Sequence, residues 1–276
     1  MTVLVPTDFS NLSKVAAQYA IGVAKKLKAD VILLAVVDMN ASAATSLKWK
    51  MLENEMVKIA KQDGEQLMRE IKETVKGKFK ISFQYRVGYP VQDVVNSFAI
   101  ENEADLIVMG TKGATGLKKV VMGSNAAAII DKSVVPVIAV PAETVYRPVR
   151  QLVYATDLRN LHEEVKTVAM FASLFDAHVK VLHVVPENSN KQLNIEEYTA
   201  ELIKQTRYKK LSFHVFANNQ VSAEVDRFVT SEKTDMLAMF THKLGFYEKM
   251  FGKSVTRQLA FHAHVPLLTF NKTTIL

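Results

Sequence analysis

A chain of 276 residues that is 49% hydrophobic can bury one or two substantial cores. It has no cysteine, which excludes disulfides and thiolate metal sites and agrees with a reducing compartment. The formal net charge of +7 admits an acidic partner, but the lysines are spread along helical stretches and read as a solvated surface, not as a nucleic-acid face.

Met1 runs straight into the apolar strand Val3–Val5, leaving no room for a secretory leader, and no apolar run reaches the roughly 18–20 residues of a membrane span. The expectation is a soluble, cytoplasmic protein with no membrane partner. Thr2–Pro6 reads as the first strand, and Ser10 is placed to cap the helix that follows. In that helix Val15, Ala16, Tyr19, Ala20, Val23, Ala24 and Leu27 recur at three- and four-residue steps. Asp30–Asp38 encloses an unbroken apolar run, the kind found where both faces of a parallel strand are covered. Ser46–Lys76 reads as a long helix bearing the only tryptophan, Trp49. Phe79–Val87 is a third strand, Val91–Ile100 a helix, Asp105–Met109 a fourth strand and Val134–Val140 a fifth. Strands alternating with helices imply a parallel sheet with right-handed crossovers.

Between the fourth strand and the helix Asn125–Lys132 lies a long glycine-bearing loop with Gly110, Gly113 and Gly123-Ser124. A helix N-terminus presents unbonded N–H groups and partial positive charge, which suit an anion. Gly110 and Gly113 would let the backbone turn and approach a ligand closely, and Lys112, Lys118 and Lys119 add charge. On spacing alone two readings stand side by side: a phosphate cradle, or a tight connection in which Ser124 is an ordinary cap. The loop contains neither G-x-G-x-x-G nor Gly-Lys-Ser/Thr.

The second half repeats this order. Val5-Pro-Thr-Asp-Phe-Ser-Asn11 aligns with Tyr154-Ala-Thr-Asp-Leu-Arg-Asn160, and Val31–Val37 with Val179–Val185. Asp105-Leu-Ile-Val-Met-Gly-Thr111 aligns with Asp235-Met-Leu-Ala-Met-Phe-Thr241, and Val135-Pro-Val-Ile138 with Val265-Pro-Leu-Leu268. The offset falls from 148 (185 − 37) to 130 (241 − 111), so the second copy is about 18 residues shorter, with the long helix around Trp49 the natural place for the loss. A repeat of this length means duplicated domains, expected at 1–145 and 150–276, with Thr144–Arg150 as linker.

At the glycine loop the copies part. Phe240 stands where the first copy has Gly110. Gly252-Lys253-Ser254 looks like the end of a Walker A loop, but Gly245 is too far upstream to complete it. Lys249–Ser254 also resembles a class I tRNA synthetase loop, without the partner element that such an enzyme needs. All seven histidines fall in the second half, and His262-x-His264 with His242 lacks the spacing of a metal site. Asp8 and Asp157 each follow a first strand; capping is one role open to them, and a ligand contact at the carboxyl ends of parallel strands is the other.

Gly110-x2-Gly113-x9-Gly123-Ser124 resembles the ATP-binding signature of the universal stress protein family, as do Val5–Ser10 and Gly88-Tyr89-Pro90, and through the repeat the resemblance covers nearly the whole chain. It implies an α/β protein made of two tandem open parallel-sheet domains, Rossmann-like and similar to the adenine nucleotide alpha hydrolases, the first binding ATP and the second degenerate. Carried over, it gives Pro6, Thr7 and Asp8 the nucleoside end, the Val36 backbone the adenine edge, and Met109 and Gly110 the border of the ribose. Gly113, Gly123, Ser124 and Asn125 would hold the phosphates. Family members often carry Val or Thr at the place of Asn125. A magnesium ion could accompany the phosphates, with Asp8 the obvious acidic candidate. The implied role is a stress-response or regulatory protein that signals through shape or contacts with an unidentified protein partner. The alternatives are a slow ATPase or phosphotransfer enzyme, or a scaffold without nucleotide. No paired carboxylates, no nucleophile–base pair and no histidine occur in the first half. The apolar last strands of the two copies imply an internal pseudo-dimer, and the chain could form a homodimer through other faces.

Overall fold

The structure, a computed structural model, describes residues 1–39, 47–74, 79–111, 120–121, 123–189, 193–241, 260–261 and 265–271. Two compact units divide the chain: Met1–Gly113 with Met122–Tyr146, and Ala114–Val121 with Arg147–Leu276.

In the first half the chain forms β1 (Thr2–Thr7), α1 (Asn11–Leu27), β2 (Asp30–Asp38), α2 (Leu47–Thr74), β3 (Ile81–Gly88), α3 (Val91–Glu101), β4 (Leu106–Gly110), the two-residue β5 (Val120–Val121), α4 (Ser124–Lys132) and β6 (Val137–Val140). The first unit's sheet runs β3-β2-β1-β4-β6, all parallel. Its middle strands are covered on both faces, so Val3, Leu4, Val5, Leu33, Leu34, Ile107 and Val108 are wholly buried. Helix α1 begins as its sequence dictates: the Ser10 hydroxyl accepts the Ser13 N–H at 3.3 Å, and Lys28 ends the helix in the left-handed conformation. Helix α2 packs its second half onto the sheet through Ala60, Leu67 and Ile71, while Trp49, Met51, Leu52 and Ile59 are exposed. The last strand starts at Val137, later than its apolar run, because Pro136 has no N–H and gives only its carbonyl, which accepts from Ile107 N–H at 2.9 Å.

The second half forms β7 (Gln151–Thr156), α5 (Leu161–Phe175), β8 (His178–Val185), α6 (Ile195–Thr206), β9 (Leu211–Ala217), α7 (Val221–Ser231), β10 (Met236–Thr241), β11 (Ala260–Phe261) and β12 (Leu267–Asn271). Its sheet runs β9-β8-β7-β10-β12, again parallel, and β5 pairs antiparallel with β11. The shortening falls where expected, with the 12 residues of α6 standing for the 28 of α2. Thr144–Arg150 forms no regular element, yet Val149 is buried, so the connection is not a free linker.

The repeat extends to individual hydrogen bonds. Asp105 takes the Thr2 N–H on its carboxylate at 2.6 Å and returns its own N–H to the Thr2 carbonyl at 2.9 Å. Asp235 does the same with the Arg150 and Gln151 N–H groups, at 2.8 and 2.9 Å, and donates to the Gln151 carbonyl at 2.9 Å. The hydroxyls of Thr111 and Thr241 each donate at 3.4 Å to the carbonyl of the neighbouring last strand, at Val140 and Phe270.

Candidate functional site

In the first unit β1 has β2 on one side and β4 on the other, so the strand order reverses between β1 and β4. In open α/β sheets the crevice outside the carboxyl ends at such a point is where ligands bind. Pro6 and Thr7 end β1 there with Asp8 next after them, Val36 lies on β2 just beyond the Thr7–Ala35 pair, and Met109 and Gly110 end β4. Six of the residues expected to touch a nucleotide thus come to three adjacent strand ends.

The turn after β1 is built by its own side chains. The Thr7 hydroxyl accepts the Phe9 N–H at 3.1 Å and donates to Ser13 Oγ at 3.0 Å, which commits it to the fold. Phe9 is left-handed, with φ of 61°, an uncommon conformation for a bulky residue and one that gathers at ligand sites. Asp8 Oδ1 accepts both the N–H of Ser10 at 3.1 Å and its hydroxyl at 2.6 Å. Burial pushes the Asp8 carboxyl up, but the Ser10 hydroxyl and N–H, with Ser13, hold it below its ordinary value. Asp8 therefore stands as a carboxylate with one oxygen fixed by the turn.

Gly110 is required by packing. A Cβ there would lie 2.5 Å from Leu12 Cγ and 3.1 Å from the Leu12 carbonyl oxygen, so glycine lets α1 close on β4. Helix α4 begins with Gly123, not Ser124, as its cap; among the described residues the cap has no side-chain hydrogen bond, and Ser124 and Asn125 are exposed in its first turn. Its leading N–H groups are the donors a phosphate would use. The reading of Ser124 as an ordinary N-cap is thereby corrected, since it is the first helical residue. Gly113 lies outside the described residues, as do Lys112, Lys118 and Lys119.

The second unit repeats the turn with different side chains around it. Leu158 N–H reaches the Thr156 hydroxyl at 3.0 Å with Leu158 at φ of 68°, and Arg159 N–H reaches Asp157 Oδ1 at 3.0 Å. At the place of Gly110, the Phe240 ring stacks on Phe270 with centroids 5.1 Å apart and meets Tyr154 edge-on at 6.0 Å. The residues of the Walker-like and synthetase-like stretches, and His242, His262 and His264, are outside the described residues. His183 donates from Nδ1 to the Thr156 carbonyl at 2.9 Å. Among the described residues no cluster of three or more His, Asp or Glu could hold a metal ion, and no helix is long and apolar enough to cross a membrane. The left-handed Phe9, the Leu12 contact and the Arg159 and His183 side chains carry no sequence signal of the kind that glycine spacing offers.

The universal stress protein family model matches residues 1–141 and again 149–271. Two universal stress proteins of Methanocaldococcus jannaschii are similar to the chain: one is 33% identical over 141 residues, 50% of this chain and 80% of its own length. The other is 31% identical over 152 residues, 50% of this chain and 93% of its own. A crystal structure of a universal stress protein from Archaeoglobus fulgidus superposes with a TM-score of 0.73 at 17% identity, covering 98% of this chain and 96% of that one.

Proposed function

The chain belongs to the universal stress protein family, with two tandem domains, and from that premise we propose that it is a cytoplasmic regulatory protein of the stress response whose first domain binds ATP. Residues 1–145 form the nucleotide-binding domain and 150–276 its degenerate companion. The observation that carries the reading is the convergence of Pro6-Thr7-Asp8, Val36 and Met109-Gly110 at the strand reversal, in a unit whose helix α4 is capped by Gly123. Pro6, Thr7 and Asp8 take the nucleoside, the Val36 backbone the adenine edge, and Gly113, Gly123, Ser124 and Asn125 the phosphates, with magnesium held beside Asp8 when it is bound. A nucleotide there is signalled to an unidentified protein partner through shape or surface contacts.

Binding, not turnover, is the output. Phosphoryl transfer needs positioned charge around the γ-phosphate and an oriented nucleophile, and backbone N–H groups with lysines hold ground state and transition state about equally. Mass spectrometry of the purified protein is the test. Co-purifying ATP or ADP, lost on Gly113→Val substitution, agrees with the proposal; a chain that carries no adenine nucleotide and takes up none when it is added contradicts it and favours a scaffold.

A further inference from the structure

β3 ends the first unit's sheet, as β9 ends the second's. Each pairs with one neighbouring strand, so alternate residues turn their backbone N–H and carbonyl outwards. The Lys80 carbonyl accepts the Val31 N–H at 2.9 Å, and the Lys210 carbonyl accepts that of Val179 at 2.8 Å, which fixes the phase. The outward residues are therefore Ile81, Phe83, Tyr85 and Val87 in β3, and Leu211, Phe213, Val215 and Ala217 in β9.

The two copies treat this edge differently. In the second, the Thr199 hydroxyl on α6 accepts the outward N–H of Phe213 at 3.1 Å, which blocks the middle of the edge. Phe83 is the counterpart of Phe213 at the repeat offset of 130 (213 − 83). Over it α2 presents Gly64, where a Cβ would run into the Phe83 ring. Among the described residues no side chain takes the Phe83 N–H. The side chain that reaches an outward atom of β3 is Arg86, whose Nη1 donates to the Tyr85 carbonyl at 3.2 Å. Arg86 is exposed, Val87 is 39% exposed, and β3 carries neither proline nor lysine. A long apolar edge without those devices is a template for a further strand.

The strand's own sequence identifies the partner. Paired antiparallel with itself about Gln84, it sets Phe83 against Tyr85, Ile81 against Val87 and Ser82 against Arg86. Aromatic thus meets aromatic and aliphatic meets aliphatic. At the centre Gln84 meets Gln84, and two amides can exchange hydrogen bonds. In this register the outward N–H and carbonyl groups of Phe83 and Tyr85 face each other as a hydrogen-bonded pair. Helix α2 adds complementary charge. Lys61 Nζ lies 5.1 Å from the Tyr85 ring centroid and Gly64 lies over Phe83, so the two-fold brings Lys61 level with the exposed Glu65 of the other copy.

We infer that β3 is a docking edge for a second copy of this chain, in an antiparallel β3–β3 seam centred on Gln84. The Arg86 guanidinium leaves the Tyr85 carbonyl to make way for the Phe83 N–H of the other copy. The edge of β9, held at its middle by Thr199, takes no part.

The chain has no cysteine, so introduced ones report the seam without background. At its centre the two Cα atoms would be about 4.5 Å apart, within disulfide range. Gln84→Cys in the full chain should therefore give a disulfide-linked dimer on mild oxidation. In Ser82→Cys or Arg86→Cys the two sulfurs of a dimer would be roughly 13 Å apart along the seam. Each alone should cross-link at least tenfold more slowly, while an equimolar mixture of the two should cross-link as readily as Gln84→Cys. Adding Val87→Lys, an exposed edge charge, to Gln84→Cys should slow cross-linking at least tenfold with circular dichroism unchanged. No dimer from Gln84→Cys, equal rates at the three positions, or a Gln84→Cys rate indifferent to Val87→Lys overturns the inference.

Discussion

The Asp8 carboxylate and the Ser10 hydroxyl meet at 2.6 Å, and the same hydroxyl oxygen accepts the Ser13 N–H at 3.3 Å, so one serine both fixes the candidate ligand-binding carboxylate and caps α1. Ser10→Ala should have two separable effects. The Asp8 carboxyl should titrate higher, nearer its ordinary 3.8, because burial then acts with less opposition. Helix α1 should lose about 1 kcal/mol of capping. The sign with pH follows: a value lower in the folded chain than in the unfolded one stabilises above the unfolded value, and that contribution disappears as pH falls through the lower folded value. Carboxyl NMR titration of Asp8 is the check, and an unchanged titration in Ser10→Ala contradicts this account of the turn.

Gly22, in the middle of α1, faces the Tyr146 ring: a Cβ there would lie 2.2 Å from Tyr146 Cγ. Alanine favours a helix over glycine by about 1 kcal/mol, but overpacking a fitted contact costs about 1–3 kcal/mol. The ring is held edge-on by Tyr19, with centroids 5.4 Å apart, so the steric cost should win. Gly22→Ala should destabilise the first unit by about 1–2 kcal/mol in chemical denaturation. Added to Tyr146→Ala it should be neutral or stabilising, because the obstacle has gone; a further loss in the double variant would refute the steric explanation.

Glu224 is 5% exposed on α7, and Arg227 Nε bonds its two oxygens at 3.0 and 3.1 Å while Asn218 donates at 3.1 Å. The Arg227 bonds pull its pKa below the usual 4.5 against the push of burial, with Asn218 assisting. Arg227→Ala should cost about 1–3 kcal/mol at neutral pH by leaving a buried carboxylate short of a partner. The depressed folded value makes the contribution complete above the unfolded pKa and lost as pH falls through the folded one, so variant and parent should converge in acid. Urea denaturation across that range would show it, and a gap that widens in acid would contradict it.

How far the sequence reaches is seen at particular elements. The bounds of β2 were legible at Asp30 and Asp38, because a run that is apolar on both faces has one interpretation in an alternating chain. The duplication was legible because it preserves side chains that fold the turns, such as Asp105 and Asp235 with their reciprocal backbone bonds. The start of β6 was not, since Val134 and Val135 are as apolar as Val137 and only the pairing of Pro136 decides where the strand begins. The cap of α4 was misplaced by one residue because serine is the commoner cap and glycine contributes no side chain to recognise. The side chains at the second unit's strand ends were illegible because His183 comes beside Thr156 only through the register of β7 with β8.

Turnover separates the proposed sensor from its enzymatic rival. Phosphate release from ATP by the full chain with magnesium should remain far below the rate of about 1 per second common among enzymes. Turnover at or above that rate, abolished by Gly123→Val, would establish the ATPase reading in place of the sensor.

The central claim is that only the first of two homologous crevices accepts ATP, since the first keeps the glycines Gly110, Gly113 and Gly123 and the second has Phe240 at the place of Gly110. Isothermal titration of the full chain with ATP measures this directly. A stoichiometry near one, abolished by Gly113→Val, is the predicted result. A stoichiometry near two, or no binding at all, would contradict it.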